Sequence, residues 1–410
     1  MSETARAVPL TEQSRPSGRM LSLDVLRAIA IFLVLGDHQI LNLGDGGIFH
    51  TVALKFRYFG WVGVDLFFVL SGFLIGGLLF SEIRKTGTLD IPRFLIRRAF
   101  KIWPGYFALI FTGIAVEAHA GHGLVGALRE FLPNFFHLQN YFPPPEWYKH
   151  TWSLAVEEHF YLFLPMVLWF FLRGNEGTRI VSIRFLGFLF FLMALIFVWR
   201  CIHAVTVPFS FMTHYTPTHL RCDALLFGVA LAYIRSAHPR HFQRVARHPI
   251  PLLGLCLAIL FPMCRYTITD FPIYSFGYTF IYIAFGAMLV AFVGAEGRAC
   301  WLWSLIDSKV GRVMATVGTW SYSIYLWQFF GRTWTGEIQT ACFSHFNTSI
   351  RYLATTATYL TFTILSGFVM NKLIETPALA LRERLFRRKT VDPVGALPDL
   401  SASADAQPQV

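Results

Sequence analysis

The feature that most constrains this chain is a series of apolar runs, each about as long as a membrane is thick. A helix that crosses a bilayer needs about 20 mostly apolar residues, because its backbone polar groups find no partner in lipid. Only 14% of the residues are charged, against about 25% in a soluble domain. The chain is therefore predicted to be an all-α integral membrane protein with about ten transmembrane helices. The predicted spans are 21–42, 62–81, 102–118, 152–172, 184–202, 218–234, 250–264, 275–294, 316–334 and 352–373.

The positive charge is distributed as a membrane topology requires. Lys and Arg concentrate in cytoplasmic loops, and a cytoplasmic N-terminus puts 25 of the 35 such residues inside and 8 outside. The other two, Arg27 and Arg221, fall within predicted spans. Both termini are therefore predicted to be cytoplasmic. The net charge of +11 is explained by topology, so no nucleic-acid partner is expected.

The chain divides into three predicted parts. Residues 1–20 are a cytoplasmic N-terminal segment without a cleavable signal pattern. Residues 21–375 are the transmembrane domain, in which 119–151 is the longest external loop. Residues 376–410 are a cytoplasmic tail, rich in Pro, Ala, Ser and Asp from about 391, where disorder is expected. The six cysteines have no CxxC spacing, so no metal site is predicted.

The first span carries two ionisable side chains, Arg27 and His38. An ionised group near the bilayer centre costs roughly 2.5–3.5 kcal/mol on insertion scales, so a lipid-facing position is disfavoured. Their separation of 11 residues corresponds to three helical turns plus about 20°, and to about 16 Å along the axis. Both side chains therefore project from one face. They could line an interior seam, or Arg27 could snorkel inward while His38 caps the helix.

Further polar residues lie in other predicted spans. Glu157 is five residues into the fourth span, and an intramembrane carboxylate indicates function by default. Arg221 and Asp223 in the sixth span could neutralise each other or pair with Glu157, and a purely structural role stays open. Ser71, among small residues that allow close helix packing, lies in the second span.

A basic cluster and an aromatic run complete the set. Arg97, Arg98 and Lys101 precede the third span, where Pro104 is expected near the helix start. The cluster is either a cytoplasmic flank or a binding site for a phosphate-rich ligand. Tyr322, in the ninth span, could equally belong to an interfacial aromatic belt.

Together these segments resemble the membrane acyltransferase 3 family. The resemblance rests on six motifs in the order found in the family, spread over about residues 21–330. They are Arg27 with ten residues before His38, FFVLSGFLI at 67–75, RRAFKIWP at 97–104, WSLAVEEHFYL at 152–162, RCDALLFG at 221–228 and SYSIYLW at 321–327.

The resemblance implies a ten-helix bundle in a bacterial inner membrane. Such proteins transfer an acyl group, often acetyl, from cytosolic acyl-coenzyme A to a hydroxyl of a surface glycan, a lipid-linked sugar or a small secreted metabolite. Acyl-coenzyme A is then a co-substrate, and no bound cofactor is expected. The partners are the bilayer, the acyl donor and the hydroxyl acceptor.

The resemblance also implies roles for particular residues. His38, Arg27 and Glu157 are the candidate catalytic residues. The candidate residues for binding acyl-coenzyme A or the acceptor are Arg97, Arg98, Lys101, Arg221, Asp223, Ser71 and Tyr322. His38 is expected to act as general base or as acyl carrier, oriented from another span by Glu157 or Arg221.

Two positions and the tail depart from the family pattern. Lys101 stands where the family commonly has Arg, and Gln328 stands where many members have His, so no base is assigned there. The resemblance is to the form without a fused esterase-like domain.

An exporter of polysaccharide units is the alternative function. The sequence leaves open the acceptor, the acyl length and the oligomeric state.

Overall fold

The fold was examined in a computed structural model, which describes residues 20–39, 58–173, 181–343 and 345–386. The predicted N-terminal segment up to residue 19, and the tail from 387 with its expected disorder, lie outside these residues. All regular structure in the described part of the chain is helical, which confirms the all-α fold class.

Ten helices of 15 residues or more form the described body, and a helix overlaps each predicted span. They are α1 Leu21–His38, α2 Gly63–Thr86, α3 Ile91–Glu117, α4 Trp152–Arg173, α5 Ile183–Thr206, α6 Asp223–Ala237, α7 Pro249–Met263, α8 Tyr278–Ala295, α9 Lys309–Ile338 and α10 Thr348–Met370. Shorter helices connect them: Gly123–Glu130, Leu132–Phe135, Thr218–Arg221, Pro239–Ala246, Trp301–Ile306 and Thr376–Leu385. Single 3₁₀ or π turns lie at Gly60–Val62, Ala118–His122, Glu146–Thr151, Phe211–Tyr215, Ile273–Gly277, Gln339–Phe343 and Asn371–Glu375.

Six helical segments of the described chain are long and apolar enough to cross a membrane. A seventh results if Pro239–Ala246 and α7, bent by 75°, count as one span. Helix α1 carries three charged residues in its 18 positions, and α6 has only 15 residues. The count of ten spans and the cytoplasmic termini therefore remain predictions.

Helix α3 corrects one boundary. It begins at Ile91, capped by the Asp90 side chain, which accepts a hydrogen bond from the Arg93 amide at 3.0 Å. Pro104 is consequently inside the helix instead of near its start. The basic cluster is then helical, so its members point in different directions.

Helix α1 packs against α2, α8 and α9. Glycine makes the closest approaches possible, as expected for membrane helices. A Cβ atom on Gly72 of α2 would lie 2.0 Å from the Leu225 carbonyl oxygen of α6, and one on Gly318 of α9 would lie 1.8 Å from the Asp24 carbonyl oxygen of α1. These contacts bring α2 close to α6 and α9 close to α1.

Candidate active site

The first of three cavities lies at the N-terminal end of α1 and has a volume of about 920 Å³. Five arginines and two carboxylates are among its lining residues. They are Arg27, Arg84, Arg235, Arg247, Arg298, Asp24 and Glu296. Glu296 accepts hydrogen bonds from the amides of Leu21 and Ser22 at 3.0 and 2.9 Å, so its charge is engaged by the start of α1. We call this space the arginine cavity.

The second cavity, the central cavity, has a volume of about 280 Å³ and lies among α1, α2, α3, α4 and α9. It brings together six of the ten predicted site residues from five different helices. They are Arg27, Ser71, Arg98, Lys101, Glu157 and Tyr322. Six residues selected from separate sequence motifs therefore line one cavity.

The third cavity, the histidine cavity, has a volume of about 660 Å³ and lies at the C-terminal end of α1. His38 and His150 line it together with polar and aromatic side chains. These include Asp37, Trp61, Trp147, Trp152, Tyr325, Gln328, Arg332 and Tyr359. Aromatic walls with a few polar groups are typical of a ligand site.

The three cavities follow one another along α1. Arg27, Leu74 and Leu78 line both the arginine and the central cavity. Val64 and Tyr325 line both the central and the histidine cavity. Arg27 thus stands at the first junction, and His38 lies beyond the second.

Arg27 is held in place by its own helix. Its Nη1 atom donates to Asp24 Oδ1 at 2.9 Å, and the carboxylate is buried. The Arg27 side chain as a whole is 35% exposed. Because this ion pair uses one edge of the fork, other N–H groups are available to a ligand in either cavity.

His38 is oriented by the backbone. Its Nδ1 atom lies 3.0 Å from the Val34 carbonyl oxygen, which can only accept, so Nδ1 carries the hydrogen. In a neutral ring, Nε2 then holds the lone pair that a general base requires. The expectation that Glu157 or Arg221 orients the ring was wrong, since the carbonyl one turn earlier on α1 is the contact.

Glu157 belongs to a hydrogen-bonded row in the central cavity. Tyr161, one turn later on α4, donates to Glu157 Oε2 at 2.8 Å, and its hydroxyl lies 2.6 Å from Ser71 Oγ on α2. The neighbouring Glu158 points away and accepts from Trp103 Nε1 at 3.4 Å. Only one of the two adjacent carboxylates therefore faces the cavity.

The basic cluster on α3 is split between two surfaces. Arg98 and Lys101, three residues apart, share a face and line the central cavity. Arg97 points elsewhere and pairs with Glu383 at 3.1 Å. Its predicted role in binding acyl-coenzyme A is not supported, because an α-helix rotates by about 100° per residue.

Lys101 also has a partner that the sequence reading missed. It forms an ion pair with the buried Glu375, whose second oxygen accepts from Ser323 Oγ at 2.9 Å. The Tyr322 hydroxyl donates to the Ile102 carbonyl at 2.5 Å, so this tyrosine braces α9 against α3. Part of Lys101's charge is thus used within the protein.

Arg221 and Asp223 do not line any of the three cavities. Arg221 Nη2 pairs with Asp65 Oδ1 at 2.9 Å, and Asp223 pairs with Arg200 Nη1 at 2.9 Å. All four side chains are buried. Arg221 also lies over the Tyr278 ring, with its guanidinium carbon 3.9 Å from the ring centroid. The predicted pairing of Arg221 with Asp223 or Glu157 was wrong, because the four side chains form two other ion pairs.

The structure adds residues that sequence reasoning did not select. Tyr161 could have been selected from the sequence, since it lies one helical turn after Glu157. Four arginines had been read only as topology markers because they come from separate segments. They are Arg84, Arg235, Arg247 and Arg298.

One surface group could hold a metal ion. Glu117, His122 and Glu130 place their ligand atoms within 4.8 Å of one another. Glu130 and His122 are exposed and already lie within hydrogen-bond distance, at 3.2 Å. The group is not among the residues that line the three cavities.

Comparison with known proteins gives a family. A family model described as an acyltransferase domain, Acyl_transf_3, matches residues 20–372. The match includes the residues that line the three cavities. No solved structure matches this chain.

Two curated relatives carry informative names. A peptidoglycan O-acetyltransferase, OatA, of Listeria monocytogenes is 29% identical over 325 residues, which cover 75% of this chain and 48% of that protein. An O-acetyltransferase, OatA, of Staphylococcus aureus is 26% identical over 326 residues, covering 75% of this chain and 49% of that protein. The chain thus spans about half the length of these relatives.

Proposed function

The chain belongs to the acyltransferase family whose model matches residues 20–372, and from that premise we propose that it is a membrane O-acyltransferase. It moves an acyl group, acetyl in the simplest case, from acyl-coenzyme A to a hydroxyl on the far side of the bilayer. The two relatives named O-acetyltransferases support this reaction type.

The observation that carries the proposal is the row of three cavities along α1. Arg27 lines the junction of the first two, and His38 lines the third. A donor that enters at one end and an acceptor that enters at the other would meet within the bundle. An acyl group would then cross the membrane without release of the coenzyme.

The arginine cavity suits the phosphate-bearing part of acyl-coenzyme A. Arginine is the side chain best matched to phosphate oxygens, because its planar fork donates two parallel hydrogen bonds. Four of its arginines, including Arg84 and Arg298, lie in segments predicted to be cytoplasmic, the side on which the donor is made. This cavity replaces Arg97 as the proposed phosphate site.

The central cavity would receive the thin pantetheine arm. Arg27 and Arg98 offer donors to its amide and thioester oxygens. The Glu375 carboxylate is paired with Lys101, and the Glu157 carboxylate accepts a hydrogen bond from Tyr161. The pantetheine arm is uncharged, so neither carboxylate repels it.

The transfer itself is assigned to His38. Its Nε2 atom takes the proton of the acceptor hydroxyl, and the oxygen attacks the thioester carbonyl carbon. The carbon–sulfur bond breaks, and the leaving thiolate takes up the proton. The products are an ester and free coenzyme A, with His38 neutral again.

The proposed setting is a bacterial inner membrane, with ten spans and both termini in the cytoplasm. The acceptor is a hydroxyl of a surface glycan, a lipid-linked sugar or a secreted metabolite. Membership of an acyltransferase family disfavours the exporter alternative, which needs no acyl donor.

The proposal is tested by the O-acyl content of the host's surface glycans, measured by mass spectrometry. A deletion strain would carry the wild-type gene, His38→Ala or His119→Ala at matched membrane levels. His119 is a matched control because it is exposed and lines none of the three cavities. We expect ester loss with His38→Ala and full ester content with His119→Ala.

The remaining outcomes are distinct. If the deletion itself leaves glycan esters unchanged, surface glycans are excluded as acceptors, and the same strains are compared for esters of secreted metabolites. If the deletion loses the esters but His38→Ala retains them, the role of His38 is contradicted.

A further inference from the structure

Gln328 is a fully buried amide whose hydrogen-bonding groups have no partner among the described residues. Its side chain is 3% exposed, and neither Oε1 nor Nε2 has a hydrogen-bond partner there. A buried polar group without a partner costs stability. A ligand bound beside the amide would satisfy these groups and offset that cost.

The position of Gln328 indicates what uses it. It lies on α9, one turn beyond Tyr325, which marks the junction of the central and histidine cavities. Gln328 itself lines the histidine cavity, the one that contains His38. Trp61, on the same cavity wall, has a buried indole N–H that is also without a partner among the described residues.

The chemistry of the amide narrows its ligand. Gln offers one acceptor and two donor hydrogens and carries no charge. It therefore matches a neutral group that both donates and accepts hydrogen bonds, such as a hydroxyl or an amide. An uncharged amide does not favour an anion over such a group.

We propose that Gln328 positions the acceptor by hydrogen bonding to a neutral polar group beside the hydroxyl that His38 deprotonates. This inference rests on the proposed acyl transfer and assigns Gln328 to acceptor binding. Gln328 does not exchange a proton, since an amide does not titrate, and it does not contact the donor end of the path.

The test titrates the acceptor without requiring its identity. Purified full-length protein is supplied with radiolabelled acetyl-coenzyme A and increasing amounts of an envelope and culture-medium extract from the deletion strain. This extract contains the unacylated acceptor. Alkali-labile acetyl gives two quantities for each variant, the maximal rate and the half-saturating amount of extract.

Gln328→Leu is expected to raise the half-saturating amount about tenfold, the effect of one lost hydrogen bond, and to change the maximal rate less than threefold. Gln328→His supplies an N–H and a nitrogen lone pair and is expected to restore the half-saturating amount to within threefold of wild type. Gln339→Leu removes another buried glutamine of the same helical region, one that lines none of the three cavities, and serves as the matched control.

Thermal stability separates positioning from a structural role. Because Leu removes an unsatisfied amide, Gln328→Leu is expected to be at least as heat-resistant as wild type. If Gln328→Leu does not fold, the half-saturating amount of extract is measured with a second variant. Gln328→Met, which is more flexible, repeats the test independently.

Three results would overturn the proposal. The first is an unchanged half-saturating amount in Gln328→Leu. The second is a fall in the maximal rate alone, which would place Gln328 in the chemical step. If wild-type protein transfers no acetyl and His38→Ala is equivalent to it, the proposed function fails and this inference fails with it.

Discussion

Two regions of this molecule bury arginine and carboxylate side chains among helices, and they differ in what surrounds the charges. Around Arg221, the charged side chains form buried ion pairs outside the three cavities, as with Asp65, and the arginine lies over the ring of Tyr278. Around Glu157, the side chains line a cavity of about 280 Å³. Burial of charge therefore does not identify a site. A candidate site is indicated instead by open space beside groups that retain hydrogen-bonding capacity.

The largest expected effect is a loss of stability when the ion pair of Arg221 is broken. Arg221→Leu leaves Asp65 as an unpaired buried charge, which costs on the order of 3–5 kcal/mol. The variant should be lost from the membrane or should aggregate when extracted, as measured by fluorescence-detected size-exclusion chromatography. A stable variant with abolished transfer would instead place Arg221 in the catalytic path.

Removing both partners sharpens the same comparison. In Asp65→Leu/Arg221→Leu, no charge is left unpaired, and buried ion pairs are often replaced by apolar residues without loss. We expect the double variant to recover most of the heat resistance lost in Arg221→Leu. Equal heat sensitivity of the two variants would show that Asp65 is not the partner that matters.

An effect of intermediate size, on donor binding, is expected in the central cavity. Arg98→Leu removes a hydrogen-bond donor from the central cavity and leaves no carboxylate without its ion-pair partner. The concentration of acetyl-coenzyme A that half-saturates the protein should therefore rise about tenfold. Arg97→Leu, one residue earlier on the same helix, is the matched control and should match wild type. Equal effects of the two variants would contradict the orientation of α3.

The smallest expected effect is that of Tyr161→Phe. The change deletes one hydroxyl, which contacts Glu157 and Ser71, and a net hydrogen bond is worth about 1 kcal/mol. Transfer should fall about fivefold in the radiolabel assay, with normal heat resistance. An unchanged rate would show that this row of hydroxyls does not contribute to acyl transfer.

Regular spacing within one helix was predictable from the sequence. The 11-residue separation of Arg27 and His38 predicted a shared face, and both residues line cavities along α1. The helical class and the positions of the long helices also followed from apolar runs. These properties depend on neighbours in sequence.

Contacts between distant helices were not predictable from one sequence. Arg221 and Asp65 are 156 residues apart, and nothing local specifies their pairing. Arg97 was misplaced because α3 begins at Ile91, well before its most apolar part. The arginine cavity was missed because its side chains come from several separate segments.

The central claim is that the three cavities form one path, and the junction at Val64 tests it most directly. In Val64→Phe the larger ring would block the passage between the central and histidine cavities, whereas Val64→Ala is the matched control that leaves it open. Binding and transfer of radiolabelled acetyl-coenzyme A would be measured on the same purified samples. The account predicts that Val64→Phe binds the donor within threefold of wild type and transfers no acetyl, while Val64→Ala retains both. Undiminished transfer by Val64→Phe would contradict the claim that donor and acceptor meet through this junction.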